Sequence, residues 1–324
     1  MKINFDQLAI VPYLDMSKIS ENMDRSIALQ SYYNGEWHMP MPIDDKIILM
    51  KGIPAESTYL SKSIVDNSID VYIFAIDYLY QYAAWNDIVP HIHALINYYI
   101  TMFTCVSKMD LYVSTDVGNL QKANYMKTEL EYLYITCKSC FDTLQKIISK
   151  LWNTKIQLLG TIEKRNLPDT FRKVIISDKV VKTLDRICSD YNIPEQLARF
   201  YINQVDFYEK LKNIRDDIVH HDKSLDYFFV FEKGFAISKE NRLFSKYEIW
   251  NEKDKEKNDL YSVRPLIHYI IQNTVKACND YCDCIRMIIK FPDSIFKDYH
   301  FFLRTPALKS FLSMDRELKE KSWW

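Results

Sequence analysis

The sequence predicts a mainly α protein, a bundle of long helices with a small β-hairpin insertion and an irregular N-terminal arm. Three observations carry this expectation. Apolar residues recur at three- and four-residue steps through most of residues 71–290. Glycine is scarce, at 5 residues, so tight turns and glycine-dependent loops are few. The one segment with clear strand character, 226–237, comes late and is short. The chain accordingly divides into an arm over 1–68, a helical domain over 69–290 with its β insertion near 226–250, and a tail over 291–324.

In the arm, short apolar pieces such as Lys46-Ile47-Ile48-Leu49-Met50 are separated by Gly35, Pro40, Pro42, Gly52 and Pro54. Val71 to Trp85 and Ile88 to Met109 read as two helices, or one helix kinked at Pro90. Residues 111–121 form a loop around Asp116-Val117-Gly118-Asn119. A helix follows from Lys122 to Trp152, with the stripe Met126, Leu130, Leu133, Cys137, Cys140, Leu144, Ile147 and Leu151. Ser177 is placed to cap a helix through Ser189, and Pro194 suits the first turn of the next, which runs to Val219. Tyr227 to Ile237 reads as a hairpin turning at Glu232-Lys233-Gly234. Glu252 to Asp259 is a charged loop, and a last helix covers Pro265 to Lys290. Trp323-Trp324 either docks on the body or meets a partner.

Composition narrows the function classes. Hydrophobic residues make up 48%, enough for a sizeable core, and the net charge of −1 gives no bulk field for polyanions. Neither GxGxxG nor GxxxxGK[ST] is present, so the common phosphate cradles are missing. The seven cysteines lie on apolar stripes, which fits a reducing compartment. No apolar signal core starts the chain, and its longest apolar-leaning run, Ala94 to Val106, is too short to span a bilayer. These features predict a soluble cytoplasmic protein with no membrane association.

Several clusters have both a structural and a chemical reading. Cys137 and Cys140 form a CxxC, and Cys278 and Cys282 stand one turn apart; they either pack as small hydrophobes or bring four thiolates around a metal. Core packing is the expectation, with no metal and no cofactor. His91 and His93 splay on a helix, and His268 either packs or approaches the functional cleft. Between Lys150 and Lys182, eight Lys and Arg residues face three acids, which makes either a solvated face or a track for an RNA backbone.

The sharpest feature is Asn213-Ile214-Arg215-Asp216-Asp217-Ile218-Val219-His220-His221-Asp222, at the end of a long amphipathic stretch. It joins a permanent cation to a group that titrates near neutral pH. Arg215 falls four residues after Leu211 and three before Ile218, so it flanks the apolar stripe. His220 follows Asp216 by four, so a continuing helix lets Asp216 orient the imidazole. Lys212 and Lys223 offset Asp216, Asp217 and Asp222, and with His221 they are candidate substrate contacts. The alternative is a surface ion pair between Arg215 and one of these acids, with His220 merely ending a helix.

This segment resembles the motif of the HEPN superfamily (higher eukaryote and prokaryote nucleotide-binding): Arg, a polar residue, three residues, His. Arg215, Asp216 and His220 match it, and His221 matches a looser spacing. Cys140-Phe141-Asp142-Thr143-Leu144 is similar to the Leu-Asp-x-Leu-type segment upstream in many members. The resemblance covers roughly residues 70–290 and implies a HEPN-like helical bundle. It implies a metal-independent endoribonuclease with Arg215, His220 and Asp216 as catalytic residues. Attack by the 2′-hydroxyl would leave a 2′,3′-cyclic phosphate. RNA would be the substrate, with a homodimer bringing two motifs to one cleft and an antitoxin or activator as partner, as in toxins and antiphage-defence effectors. The alternative is a non-catalytic HEPN-like module that binds a nucleotide, RNA or a partner protein.

Overall fold

The computed structural model describes residues 13–15, 30–43, 46–155, 165–220, 225, 227–232, 234–238, 240, 243–245, 247–255, 257–289, 291, 293–294 and 296–320. Six strands come first: β1 Tyr13–Asp15, β2 Gln30–Tyr33, β3 Glu36–Ile43, β4 Lys46–Met50, β5 Ser57–Ser61 and β6 Asp70–Tyr72. Helices α1 Phe74–Tyr82, α2 Val89–Ser114, α3 Asn119–Lys150 and α4 Phe171–Ile175 follow. A small hairpin of β7 Ile176–Ser177 and β8 Val180–Val181 leads to α5 Leu184–Tyr191 and α6 Glu195–His220. The remainder is β9 Phe229–Phe231, β10 Gly234–Ser238, β11 Leu260–Ser262, α7 Arg264–Ile288, β12 His300–Arg304 and α8 Leu308–Glu320.

The architecture is an α/β mix, which corrects the expected helical bundle with its minor hairpin and irregular arm. A seven-stranded sheet runs in the order β1-β4-β3-β2-β5-β12-β6, a three-stranded one in the order β11-β10-β9, and β7 pairs with β8. In the large sheet β2 and β5 are parallel and the other pairs antiparallel. Much of the arm is therefore sheet. Its first hairpin turns on Asn34 and Gly35, at φ 50° and 79°. Two consecutive left-handed residues give the turn whose twist matches the flanking strands. Pro40 and Pro42 do not prevent β3, because it pairs with β2 only over Glu36–His38 and with β4 over Met39–Ile43. Past His38 one side of the strand has no described ladder partner, and a residue without an N–H is tolerated on such a side.

The tail also contributes to the sheet. β12 lies between β5 and β6, with Leu303 opposite Thr58 on one side and Val71 on the other. Phe301 and Leu303 face the helical core together with Leu60, while Phe302 joins Trp37 and Tyr59 in a small cluster on the opposite face. Each of these three buried β12 side chains contributes roughly 1.5–3 kcal/mol of apolar burial. Across the β6–β12 ladder, Asp70 and Arg304 form a buried ion pair, Nε to Oδ1 at 3.0 Å and Nη2 to Oδ2 at 3.1 Å.

The long helices lie close to their expected bounds. Pro90 and Pro265 each occupy the first turn of a helix, α2 and α7, where a missing N–H has no partner to lose. Pro90 thus begins a helix and is not a kink within one. Ser177 caps no helix; it belongs to the β7–β8 hairpin, and Thr183 Oγ1 accepts from Arg186 N at 3.3 Å to start α5. Trp323 and Trp324 lie outside the described residues. No helix among the described residues is long and apolar enough to cross a membrane.

Candidate functional site

Helix α6 carries the Arg–His segment. It begins after Asn192, whose left-handed backbone at φ 51° ends α5, and Pro194 O accepts from the amides of Leu197 and Ala198. Its buried stripe is Leu197, Phe200, Tyr201, Phe207, Tyr208, Leu211 and Ile214. That stripe packs on α3, as expected of the helix containing Asp142. The contact is aromatic: Phe141 of α3, Phe171 of α4 and Tyr208 of α6 form a triangle with ring centroids 5.4, 5.6 and 4.8 Å apart. The next residue on each helix is charged, namely Asp142, Arg172 and Glu209. Burial pushes the Tyr208 hydroxyl well up, and Asp142, Glu209 and Asp216 add to this while Arg172 opposes it. Four charged groups from three helices therefore act on one phenol.

Within α6 the carboxylate of Asp216 is the organising group. Lys212 Nζ reaches Oδ2 and Arg215 Nη1 reaches Oδ1, each at 3.0 Å. Partial burial pushes this carboxyl up, but hydrogen bonds from Lys212 and Arg215 outweigh it and hold it below its ordinary value. The Arg215 side chain is 29% exposed, which fits a residue flanking the stripe. Helix α6 persists to His220, so residue 220 stands four positions after Asp216 in continuous helix. The side chain of His220 is not among those described, and His221 and Lys223 lie outside the described residues. The structure thus joins Arg215, Asp216 and Lys212. Asp216 has both oxygens engaged by cations, and an ionised carboxylate still has lone pairs for a further donor.

On the facing helix, Lys138 bonds Asp142 Oδ2 one turn along, while the other oxygen, Oδ1, is buried without a hydrogen-bond partner among the described residues. A shallow open groove of about 510 Å³ runs along α2 to the β12–α8 turn, lined by Thr104, Lys108, Asp110 and Pro306. It contains no α6 residue.

Two other sequence candidates, the paired cysteines and His268, are packed between helices. Cys137, Cys140, Cys278 and Cys282 are buried where α3 and α7 meet, with Cys140 and Cys278 Sγ 3.9 Å apart. Burial pushes the Cys137 thiol up to about 12. No group of three or more His, Cys, Asp or Glu residues that could hold a metal occurs among the described residues. His268 stacks on Phe311 at 5.6 Å and bonds Asp315 at 3.0 Å, so it ties α7 to α8.

One polar cluster escapes sequence reasoning. Asp77, buried in α1, accepts from Tyr72 Oη at 3.1 Å and from Phe301 N at 2.9 Å, and lies 3.0 Å from His300 Nδ1. Its members come from opposite ends of the chain, and no spacing signal links them. Neither a protein-family model nor a curated protein nor a solved structure matches the chain.

Proposed function

We propose that the chain is a metal-independent endoribonuclease whose chemistry is carried by Arg215 and His220, with Asp216 as their positioning carboxylate. The observation that supports this most is α6 itself. It stays helical through residue 220 while Asp216 fixes Lys212 and Arg215 one turn earlier. The reading rests on the motif and not on the fold, because the α/β architecture departs from the bundle that the HEPN resemblance implies.

In this scheme His220 takes the proton from a 2′-hydroxyl, and the 2′-oxygen attacks the adjacent phosphorus. The P–O5′ bond breaks as the protonated imidazole returns that proton to the departing O5′, leaving a 2′,3′-cyclic phosphate and a 5′-hydroxyl. The Arg215 guanidinium stabilises charge on the phosphorane without titrating; with five N–H donors it can hold Asp216 and a phosphate together. On an ideal helix residues 215 and 220 differ by about 140° around the axis. A symmetric homodimer supplies the complementary pair across a shared cleft. A cytoplasmic role as a toxin or antiphage effector, governed by an antitoxin or activator, follows from the resemblance alone.

The test is RNA cleavage in the presence of EDTA, with analysis of the ends. Cyclic-phosphate ends are expected, and a 2′-deoxy residue at the cleavage point should block the reaction. His220→Ala and Arg215→Ala should each lower the rate at least about a hundredfold. His221→Ala decides between the adjacent histidines. Full activity in both variants overturns the scheme.

A second reading is favoured by the engagement of both Asp216 oxygens: an ion-pair group of Lys212, Arg215 and Asp216 also suits a non-catalytic module binding RNA, a nucleotide or a protein. RNA binding without cleavage would select it.

A further inference from the structure

We infer that the surface where the start of α2 meets the end of α3 is a second contact for single-stranded RNA. Lys146 and Lys150 would hold backbone phosphates there, and Trp85 would stack a base. The substrate class rests on the reading above, but the site shares no residue with the Arg215 motif.

The charges are the first observation. Lys146 and Lys150 stand one turn apart on α3, and neither ammonium has a carboxylate or hydrogen-bond partner among the described residues. Lys138, Lys182, Lys210 and Lys212 each hold an acid within hydrogen-bond distance. The helix dipole accounts for a lysine in the last turn, Lys150, but not for Lys146. His91, in the first turn of α2, feels both. Burial lowers its pKa first, Lys150 and Lys146 lower it further, and Asp87 alone opposes them. The Asp87 carboxylate is itself taken up by Lys155 at 3.1 Å. The patch therefore presents two lysine ammoniums, with no acid partner among the described residues, to an incoming phosphate.

The second observation is aromatic. Trp85 sits in the connection between α1 and α2 and is 37% exposed, although the core has room for aromatics as large as Trp152 at 1%. Lys155 Nζ lies 5.9 Å from its ring centroid, so the indole is braced by the same lysine that neutralises Asp87. Cations with no acid partner among the described residues would alone suit any polyanion. An exposed indole beside them adds a stacking face for a base, which is available only where the base is unpaired.

The test separates binding from cleavage. A fluorescein-labelled 2′-O-methyl oligoribonucleotide cannot be cut through its 2′ position, and its anisotropy reports binding alone. The doubly substituted Lys146→Glu/Lys150→Glu protein should bind at least about tenfold more weakly, with a log–log salt slope smaller by about 1.4, the value for two phosphates on a single strand. Trp85→Leu should weaken binding by about 5- to 150-fold, since stacking contributes roughly 1–3 kcal/mol per base. The His91 ring, followed by NMR, should titrate at higher pH with the oligonucleotide bound. Circular dichroism of the variants should match wild type, since these side chains lie at the surface. If wild type binds and the variants lose affinity, the patch stands whether or not RNA is ever cut. Unchanged affinity in natively folded variants overturns it and leaves the Arg215 scheme intact. Equal competition by duplex RNA, or no binding by wild type, also overturns it.

Discussion

Replacing Arg304 by methionine should be among the most destabilising single changes in this chain. The guanidinium is 5% exposed and its partner carboxylate, Asp70, is 0% exposed. Asp70 also accepts from Tyr59 Oη at 2.7 Å and from Asp66 N at 2.9 Å, and Arg304 lies 4.6 Å over the Trp37 ring. Arg304→Met keeps most of the side-chain volume and removes the cation, stranding a buried carboxylate. The expected cost is about 3–5 kcal/mol, because the loss is dominated by the uncompensated charge and not by the pair's net worth. Urea unfolding followed by circular dichroism measures it. Adding Asp70→Asn removes the stranded charge and keeps an acceptor for Tyr59, so the double variant should be more stable than Arg304→Met alone. The reasoning is refuted if Arg304→Met costs under about 1 kcal/mol, or if Asp70→Asn lowers the stability of that variant further.

Three further outcomes are expected. Phe171→Ala opens a cavity between α3, α4 and α6 and should cost about 3–5 kcal/mol in a denaturant titration, with the rate of any RNA cleavage falling as the Arg215 surroundings loosen. Burial depresses His268 below its ordinary 6.5, overriding the Asp315 hydrogen bond. Between the folded pKa and 6.5 the unfolded chain therefore binds more protons, and stability falls as pH drops through that window. His268→Gln should flatten this slope, and an unchanged pH dependence would exclude the residue as its source. Elemental analysis of purified protein should find no stoichiometric zinc or iron; metal that disappears on Cys137→Ser or Cys282→Ser would contradict the core assignment of these thiols.

The long helices are legible because their apolar stripes are long and the helical period is local to each segment. The stripe drawn for residues 122–152, Met126 through Leu151, is buried throughout. The sheet is much less legible. Asn34-Gly35 is a strong hairpin signal, flanked by Ser31-Tyr32-Tyr33 and Glu36-Trp37-His38, yet the prolines that follow read as breakers when the partner strand is unknown. His300–Arg304 is five residues long and finds its partners, β5 and β6, more than 220 residues upstream. No local period encodes such a pairing. Of the site, the Lys212–Asp216 contact follows from i,i+4 helical spacing, whereas the Arg215–Asp216 contact depends on the side-chain rotamers and the approach of Arg172 on how α4 packs.

The slot that β12 fills has a temporal meaning. Asp70 and Arg304 are 234 positions apart. A ribosome adding ~5–20 residues per second would deliver the second roughly 10–50 s after the first. Through that interval β5 and β6 each offer an open edge, and the Asp70 carboxylate awaits its cation. Nascent chains held side by side on one message would present these edges to one another. The sheet is thus a clasp that closes only when the strand from the far end arrives, and the pace of synthesis sets how long it stands open.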